Sequence, residues 1–413
     1  MADKALLKLP SASRSVALAS ALAFGAQVLF ALLMLKAFSP QAVGEFSVVS
    51  QIAFFWMTLS LAQTPLSLLA NAHIEAHSAL HQAWRESCRR ALYLLPVAAV
   101  ALGLSGLAIW PLLLVAGALA LCQMAWGLAQ SIVLRTRLAQ QQWAVRVLPP
   151  FVALIAAAFA ACWEATGSSL LASALLGYAV GASWLWSAWR GGAGLSTEPI
   201  FSQAEGNTSE PSSLQRDHRS PRLRLAHTLC DALMATALIV VWQRVYGAQE
   251  TGWMSALLRV LGFVPAVVHM AWAQVMLTRQ GHEHGAQGCT GLMGVWAAGL
   301  VAALSVACAL VLHWGWLNPR WIGVLDYLWP LALWQASACV FASLSHRPFQ
   351  FGSAIAYSWG CMGVVVMQGL ALLLPLLGAD LSASTHIAVY ACVSALGLGG
   401  MAVWMRQLPQ SRA

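Results

Sequence analysis

Charge is the first thing this sequence lacks: 9% of its 413 residues are charged and 60% are hydrophobic, where an ordinary soluble domain carries roughly 25% charged residues. So few charges cannot cover the surface of a water-soluble fold, and that class is excluded. The alternating polarity of barrel strands is also missing, so the apolar segments read as α-helices, which hydrogen-bond their own backbones in lipid. Among the nine cysteines there is no C-x-x-C pair, and they read as small core hydrophobes. No G-x-x-x-x-G-K-[ST] occurs, so the chain has no phosphate-binding loop of its own for ATP. The first apolar run lacks an obvious small-residue cleavage site and is expected to span rather than be removed as a signal.

What remains is a series of long apolar runs. They fall at Val16–Leu35, Gly44–Leu69, Ala91–Ala108, Leu112–Leu134, Val147–Cys162, Ser168–Trp189, Leu225–Gln243, Gly252–Leu277, Gly291–Leu312, Ile322–Leu344, Ala354–Leu377 and Ile387–Met405. The expected fold class is therefore all-α, a polytopic membrane protein with about twelve transmembrane helices. Pro149 and Pro150 are expected to open the fifth run and leave it short.

The net charge of +8 would suit nucleic acid if the cations formed one patch. Their distribution points to topology instead, and no nucleic-acid partner is expected. Of 22 Lys and Arg, Lys36, Arg244 and Arg320 fall on one side of the spans, Arg259 lies within a span, and all others collect on the opposite side. That bias places both termini in the cytoplasm of a multi-pass protein of the bacterial inner membrane. Tryptophans near run ends, including Trp110, Trp163, Trp242, Trp253, Trp314 and Trp316, fit an interfacial belt.

The longest polar stretch, Gly191 to Pro221, is rich in Ser, Gly, Glu and Arg and reads as a flexible cytoplasmic linker. It separates an expected six-helix lobe at 1–190 from a second at 222–413. An internal repeat supports the division. Lys36, Phe38, Gln41, Gly44 and Ser47 fall without a gap on Arg244, Tyr246, Gln249, Gly252 and Ser255, and Arg14 falls on Arg222 in the same register. Each half starts on the same side with an even number of spans, so the repeats run parallel about a membrane-normal axis.

Two stretches carry a family resemblance. KAFSPQAVGEFSVVSQIAFFWMTLSLA resembles the first periplasmic turn and second helix of the polysaccharide biosynthesis (Wzx-type) flippases, and RVYGAQETGWMSALLRVLGFVPAVVHMAWAQVML is similar to their seventh-to-eighth helix region. The same patterns occur across the wider superfamily of multidrug, oligosaccharidyl-lipid and polysaccharide exporters. The resemblance implies a two-lobed exporter around a central cavity. It would flip undecaprenyl-pyrophosphate-linked oligosaccharide repeat units across the inner membrane, for O-antigen, capsule or exopolysaccharide biosynthesis. Lipid-linked oligosaccharide and membrane lipids are the implied partners, with the polysaccharide polymerase machinery as a further one; no cofactor, metal or enzymatic activity is implied. The lipid II branch usually has two more C-terminal helices than this chain has room for. The antiporter branch often carries a carboxylate in its first helix, and Val16–Leu35 contains none.

Charges inside spans are costly and mark pathways. Arg259 lies about two turns into the eighth span, roughly 10 Å deep at 1.5 Å per residue, where a guanidinium suits a pyrophosphate through bidentate bonds. Its structural alternative is a snorkelling or carbonyl-satisfied arginine. Asp231, with His269 at similar depth on the next helix, could bind a coupling proton or cation, or simply form a buried hydrogen bond. Lys36, Arg244, Arg14 and Arg222, at matched rim positions, suit an anionic headgroup or plain anchoring. Gln63, Gln274 and Gln335 suit sugars if they face the cavity. Glu45 and Asp326 sit near helix starts, where the dipole explains them. His73, His77 and His81 beside Glu75 share a face if helical, but HIEAH lacks the zinc-protease Glu after its first His, and an interfacial amphipathic segment is the expectation.

Two other functions fit less of the sequence. A small-molecule or drug antiporter on the same fold predicts an acidic cavity, whereas the N-terminal spans hold almost no carboxylates. A membrane polymerase or ligase predicts a substantial periplasmic loop, and the long loops fall on the cytoplasmic side.

Overall fold

A computed structural model describes residues 11–62, 64–70, 75–136, 139–190, 219–273, 276 and 287–408. Every regular element among them is helical, and the chain is a polytopic all-α membrane protein. Among the described residues, eleven helices are long and apolar enough to cross a bilayer. One of them, Ala226–Val267, is two spans merged: at Gly247 the backbone turns to φ 86° and ψ 179°, a left-handed angle that glycine adopts without a Cβ clash. Counting it as the seventh and eighth spans gives the twelve segments read from the sequence. Leu92, Trp110, Leu114, Trp163, Trp296 and Leu396 each leave more than 70% of their surface uncovered. Large apolar side chains in that state are at home against acyl chains and not in water.

Local chemistry sets the helix ends. Ser39 caps the second span, Pro40–Leu61, its Oγ accepting from Ala42 N–H at 3.2 Å with proline in the first position. Ser382 caps the last helix, Ala383–Gln407, accepting from Thr385 N–H at 3.2 Å. One expectation fails here. Pro149 and Pro150 do not open the fifth span; they lie inside a helix that runs Ala139–Trp163. Proline at 149 removes the N–H that would bond the Val145 carbonyl, and the Trp126 indole donates to that oxygen at 2.7 Å instead. With the freed carbonyl satisfied from a neighbouring helix, the span continues through both prolines.

The chain divides into two compact units, one comprising Met1–Met34 and Val48–Asp217, the other Leu35–Ser47 and His218–Ala413. In the first unit a core forms around Leu61, Leu80, Met124, Leu128, Ile132 and Leu185. Its arginines tie helix ends to nearby oxygens: Arg90 donates to Thr64 Oγ1 at 3.0 Å and pairs with Glu86 at 3.2 Å, and Arg135 donates to the Leu68 carbonyl at 3.2 Å.

The second unit holds the turn between the first two spans. Trp321 donates its indole N–H to the Phe38 carbonyl at 3.1 Å, and Lys36 donates to the Trp316 carbonyl at 2.5 Å. Here the internal repeat becomes a contact. The register that places Lys36 on Arg244 also places Pro40 on Ala248 and Gly44 on Gly252. A Cβ on Gly44 would stand 1.9 Å from the Ala248 carbonyl oxygen, and one on Gly252 would stand 1.8 Å from the Pro40 carbonyl oxygen. The two helix starts thus cross reciprocally, each glycine against the equivalent position of the other repeat, at a separation that only hydrogen allows.

The linker expected at 191–221 lies outside the described residues up to 218; Arg219–Pro221 are already helical, in the element Arg219–Val267.

Candidate functional site

Three groups of polar side chains occur in the second unit, each built where helices meet. The first centres on Arg259 in the eighth span. Its guanidinium lies over the Phe46 ring, 4.7 Å from the centroid, and Nη2 donates to Ser47 Oγ at 3.4 Å. The residue is half-buried, so the charge is held against the start of the second span by an aromatic face and a hydroxyl. Gln335, one of the sequence candidates, is buried on the tenth helix, Leu325–Leu344. Its Oε1 stands 3.8 Å from where a Cβ on Gly262 would lie, one turn beyond Arg259. Arg259 and Gln335 therefore belong to one neighbourhood.

The second group sits at the joint between the seventh and eighth spans. Trp242, Tyr246 and Glu250 recur every four residues across Gly247. Tyr327, on the first turn of the tenth helix, donates its hydroxyl to Glu250 Oε2. Tyr246 donates to the Leu381 carbonyl at 3.1 Å, and the same oxygen is 3.1 Å from His386 Nδ1. On the other side of that ring Nε2–H donates to the Ala371 carbonyl at 3.0 Å. Trp242 stacks on the His386 imidazole at 4.7 Å and 19°, and lies 4.8 Å from Tyr246. Both Trp242 and His386 are fully buried.

The third group contains the expected coupling pair. Asp231 and His269 are close enough for their charges to interact. Each also has a nearer partner that sequence reading missed. His227, one turn before Asp231, approaches its carboxylate at 3.2 Å, and Ser345 Oγ lies 3.3 Å from His269 Nδ1. The helix loosens at this point, since Val268–Ala273 is a π turn, a feature frequent at functional sites. His227 also packs edge-on against Tyr357 at 5.9 Å.

The remaining candidates divide. Lys36 is engaged by the Trp316 carbonyl and lies 4.8 Å over that residue's own ring, an anchoring geometry. Its repeat partner Arg244 is exposed. Glu45 accepts from Gln41 Nε2 at 3.3 Å, and Asp326 stands in the first turn of its helix, as the dipole requires. His77 and His81 are on the helix Ala76–Ser105, and no metal-holding group of His, Cys, Asp or Glu occurs among the described residues. All of Gln63, Gln274 and His73, and the side chains of Arg14 and Arg222, lie outside the described residues.

Glu250, Tyr327 and His386 are the main additions to the sequence candidates. One signal was present: Trp242, Tyr246 and Glu250 fall close together on either side of Gly247, at the turn between two apolar runs.

No family model and no curated relative matches this chain. Among solved structures it is similar to a multidrug resistance MATE family transporter of the MOP superfamily in an inward-facing conformation. That match has a TM-score of 0.50 and 12% identity over 94% of this chain and 96% of that one. The MATE transporter ClbM in complex with Rb+ also aligns, at 13% identity over 98% and 94% of the two chains. Its TM-score of 0.38 is too low for that alignment to carry weight. The first likeness establishes the fold alone: a polytopic helical fold of the MATE type.

Proposed function

We propose that this chain is a membrane transporter working by alternating access, and that it flips undecaprenyl-pyrophosphate-linked oligosaccharide repeat units from the inner to the outer leaflet for surface polysaccharide biosynthesis. The observation carrying this reading is Arg259. A cation within a span is costly unless it serves a pathway or a partner, and this one is turned onto Phe46 and Ser47 within the protein. A guanidinium suits the oxygens of a pyrophosphate in bidentate fashion. Gln335, one turn away, suits sugar hydroxyls, and Lys36, Arg244, Arg14 and Arg222 suit headgroup approach at the rims. The Wzx-type resemblance of the second and eighth spans supports this choice of substrate.

On this reading 1–190 and 222–413 form two six-helix lobes joined by a cytoplasmic linker, with both termini in the cytoplasm and the protein in the inner membrane. The chain acts without bond-breaking chemistry of its own, an ion gradient supplies the drive, and Asp231 with His269 is a candidate coupling pair. The polysaccharide polymerase would receive the flipped unit.

Genetic complementation tests the proposal. Deletion should leave the surface polysaccharide missing and its lipid-linked unit accumulating on the inner leaflet, and Arg259→Ala should fail to restore display while inserting normally. Accumulation of no lipid-linked unit on deletion overturns it.

One observation favours a second reading, an ion-coupled small-molecule or drug antiporter on the same fold. Glu250 is a carboxylate set among Tyr327, Tyr246 and Trp242, a lining suited to an organic cation. Normal glycan display with altered drug sensitivity after deletion would select it.

A further inference from the structure

We infer that His386 is a proton-binding site, loaded through Tyr246, that ties the seventh span to the loop before the last helix. The hydrogens available to the group decide this. A carbonyl cannot donate, so the 3.0 Å contact to the Ala371 oxygen requires a hydrogen on His386 Nε2. Tyr246 has a single hydroxyl hydrogen and two places to put it, the Leu381 carbonyl and His386 Nδ1, both at 3.1 Å. With the ring neutral, that hydrogen serves one of them at the expense of the other. With a proton on Nδ1 the arrangement closes: Nδ1–H donates to Tyr246 Oη, Tyr246 donates to Leu381, and Nε2–H donates to Ala371. His386 Nδ1, His386 Nε2 and Tyr246 Oη are then each used in their proper sense.

One neighbour favours the charged ring. Burial of an imidazolium is costly in itself, but here the Trp242 face lies against it at 4.7 Å, and indole is the best aromatic partner for a cation. The titratable and charged groups about the site are few. Tyr246 comes from the seventh span. Glu250 and Tyr327 bond one another beyond Trp242, whose ring lies edge-on to Tyr327 at 6.2 Å. Tyr390 lies one turn along the last helix, against Trp334, and Asp380 immediately precedes Leu381 and is exposed. Arg244, two residues before Tyr246, is exposed.

Proton entry needs no opening of the core. His386 is fully buried, but Tyr246 is only partly so. Its hydroxyl passes its hydrogen to Nδ1 and takes one from solvent, then turns to Leu381. The net change is one proton on the ring, with Tyr246 neutral before and after. Loading thus moves the Tyr246 donor from the last helix to the loop at Leu381, and reverses its hydrogen bond with His386.

The test needs no substrate. The full-length protein in nanodiscs is titrated with acid while the emission due to Trp242, wild type minus Trp242→Phe, is followed; a protonated imidazole stacked on an indole quenches it. The wild type should lose that emission in one step, and His386→Gln should remove the step. Tyr246→Phe should move the midpoint about one pH unit toward acid, the tenfold in proton affinity expected when a hydrogen bond to a charged group is lost. An unquenched wild type, a step that persists in His386→Gln, or an unmoved midpoint in Tyr246→Phe overturns the inference. If His386→Gln fails to fold, the Tyr246→Phe midpoint decides. The transport arm rests on the proposed function: in proteoliposomes, His386→Gln should slow flipping driven by a pH gradient. An intact titration with no flipping of lipid-linked oligosaccharide would overturn the substrate reading and leave the proton site standing.

Discussion

In the first unit, the arginines reach backward to finish helix ends, Arg90 toward Thr64 and Arg135 toward the Leu68 carbonyl; in the second, several ionisable side chains meet other side chains within or beside spans. Arg259 rests on Phe46, Glu250 accepts from Tyr327, His386 shares a hydroxyl with Tyr246, and Asp231 meets His227. The contrast teaches that the same residue types do two jobs. Where a helix terminus leaves carbonyls without partners, an arginine is a ready donor. Where no terminus needs one, a charge calls for a different reason.

Four substitutions bear on that contrast. Arg259→Ala should abolish export measured per inserted molecule, with Arg259→Lys retaining part of it, because an ammonium keeps the charge but loses the bidentate fork. Wild-type export by Arg259→Ala would return that residue to the class of structural arginines. Gly44→Ala or Gly252→Ala should be next in size, since each new methyl meets a backbone oxygen at under 2 Å. Overpacking of this kind costs roughly 1–3 kcal/mol, visible as a lower melting midpoint in detergent.

Arg90→Ala should lower stability by about 1 kcal/mol, through the lost bonds to Thr64 and Glu86, with export per folded molecule unchanged. A loss of export as complete as that of Arg259→Ala would erase the difference between the units. The smallest effect is expected from Lys36→Ala. One partly exposed bond to the Trp316 carbonyl and one cation–ring contact should be worth about 0.5–1 kcal/mol, and transport rates should fall less than about twofold, the size expected of a rim anchor.

Much of the fold could be read from the chain because lipid imposes a one-dimensional rule: a span is a run, and the runs alternate with arginine-rich loops. The repeat was equally legible, since polar residues recurring in register, from Lys36 and Arg244 to Ser47 and Ser255, stand out from an apolar background. Two local features were not. Pro149 and Pro150 read as a helix start, because nothing nearby in sequence announces that Trp126 will supply the missing donor from another helix. The π turn at Val268–Ala273 has no compositional signature at all.

The site was legible only where one residue carries the meaning alone. Arg259 stands out as a charge within an apolar run. His386 does not, for its meaning lies in a hydroxyl 140 positions earlier and an indole beyond that. Glu250 sits beside a turn, where a carboxylate excites no suspicion until Tyr327 is found against it. Depth alone pairs Asp231 with His269 in the sequence, and gives no sign of His227, one turn before Asp231 on the same helix, at 3.2 Å from its carboxylate.

The crossing of Gly44 and Gly252 has a mechanical consequence. Helices that interlock through side chains must lift knobs from holes before they part, whereas this seam meets backbone on backbone and is smooth. At the glycines themselves it can part with no rotamer to undo, since only weak carbon–hydrogen contacts to carbonyl oxygens act there; the ties lie at its flanks, Trp321 on the Phe38 carbonyl and Arg259 on Phe46 and Ser47. A surface without teeth suits a joint that opens and closes many times.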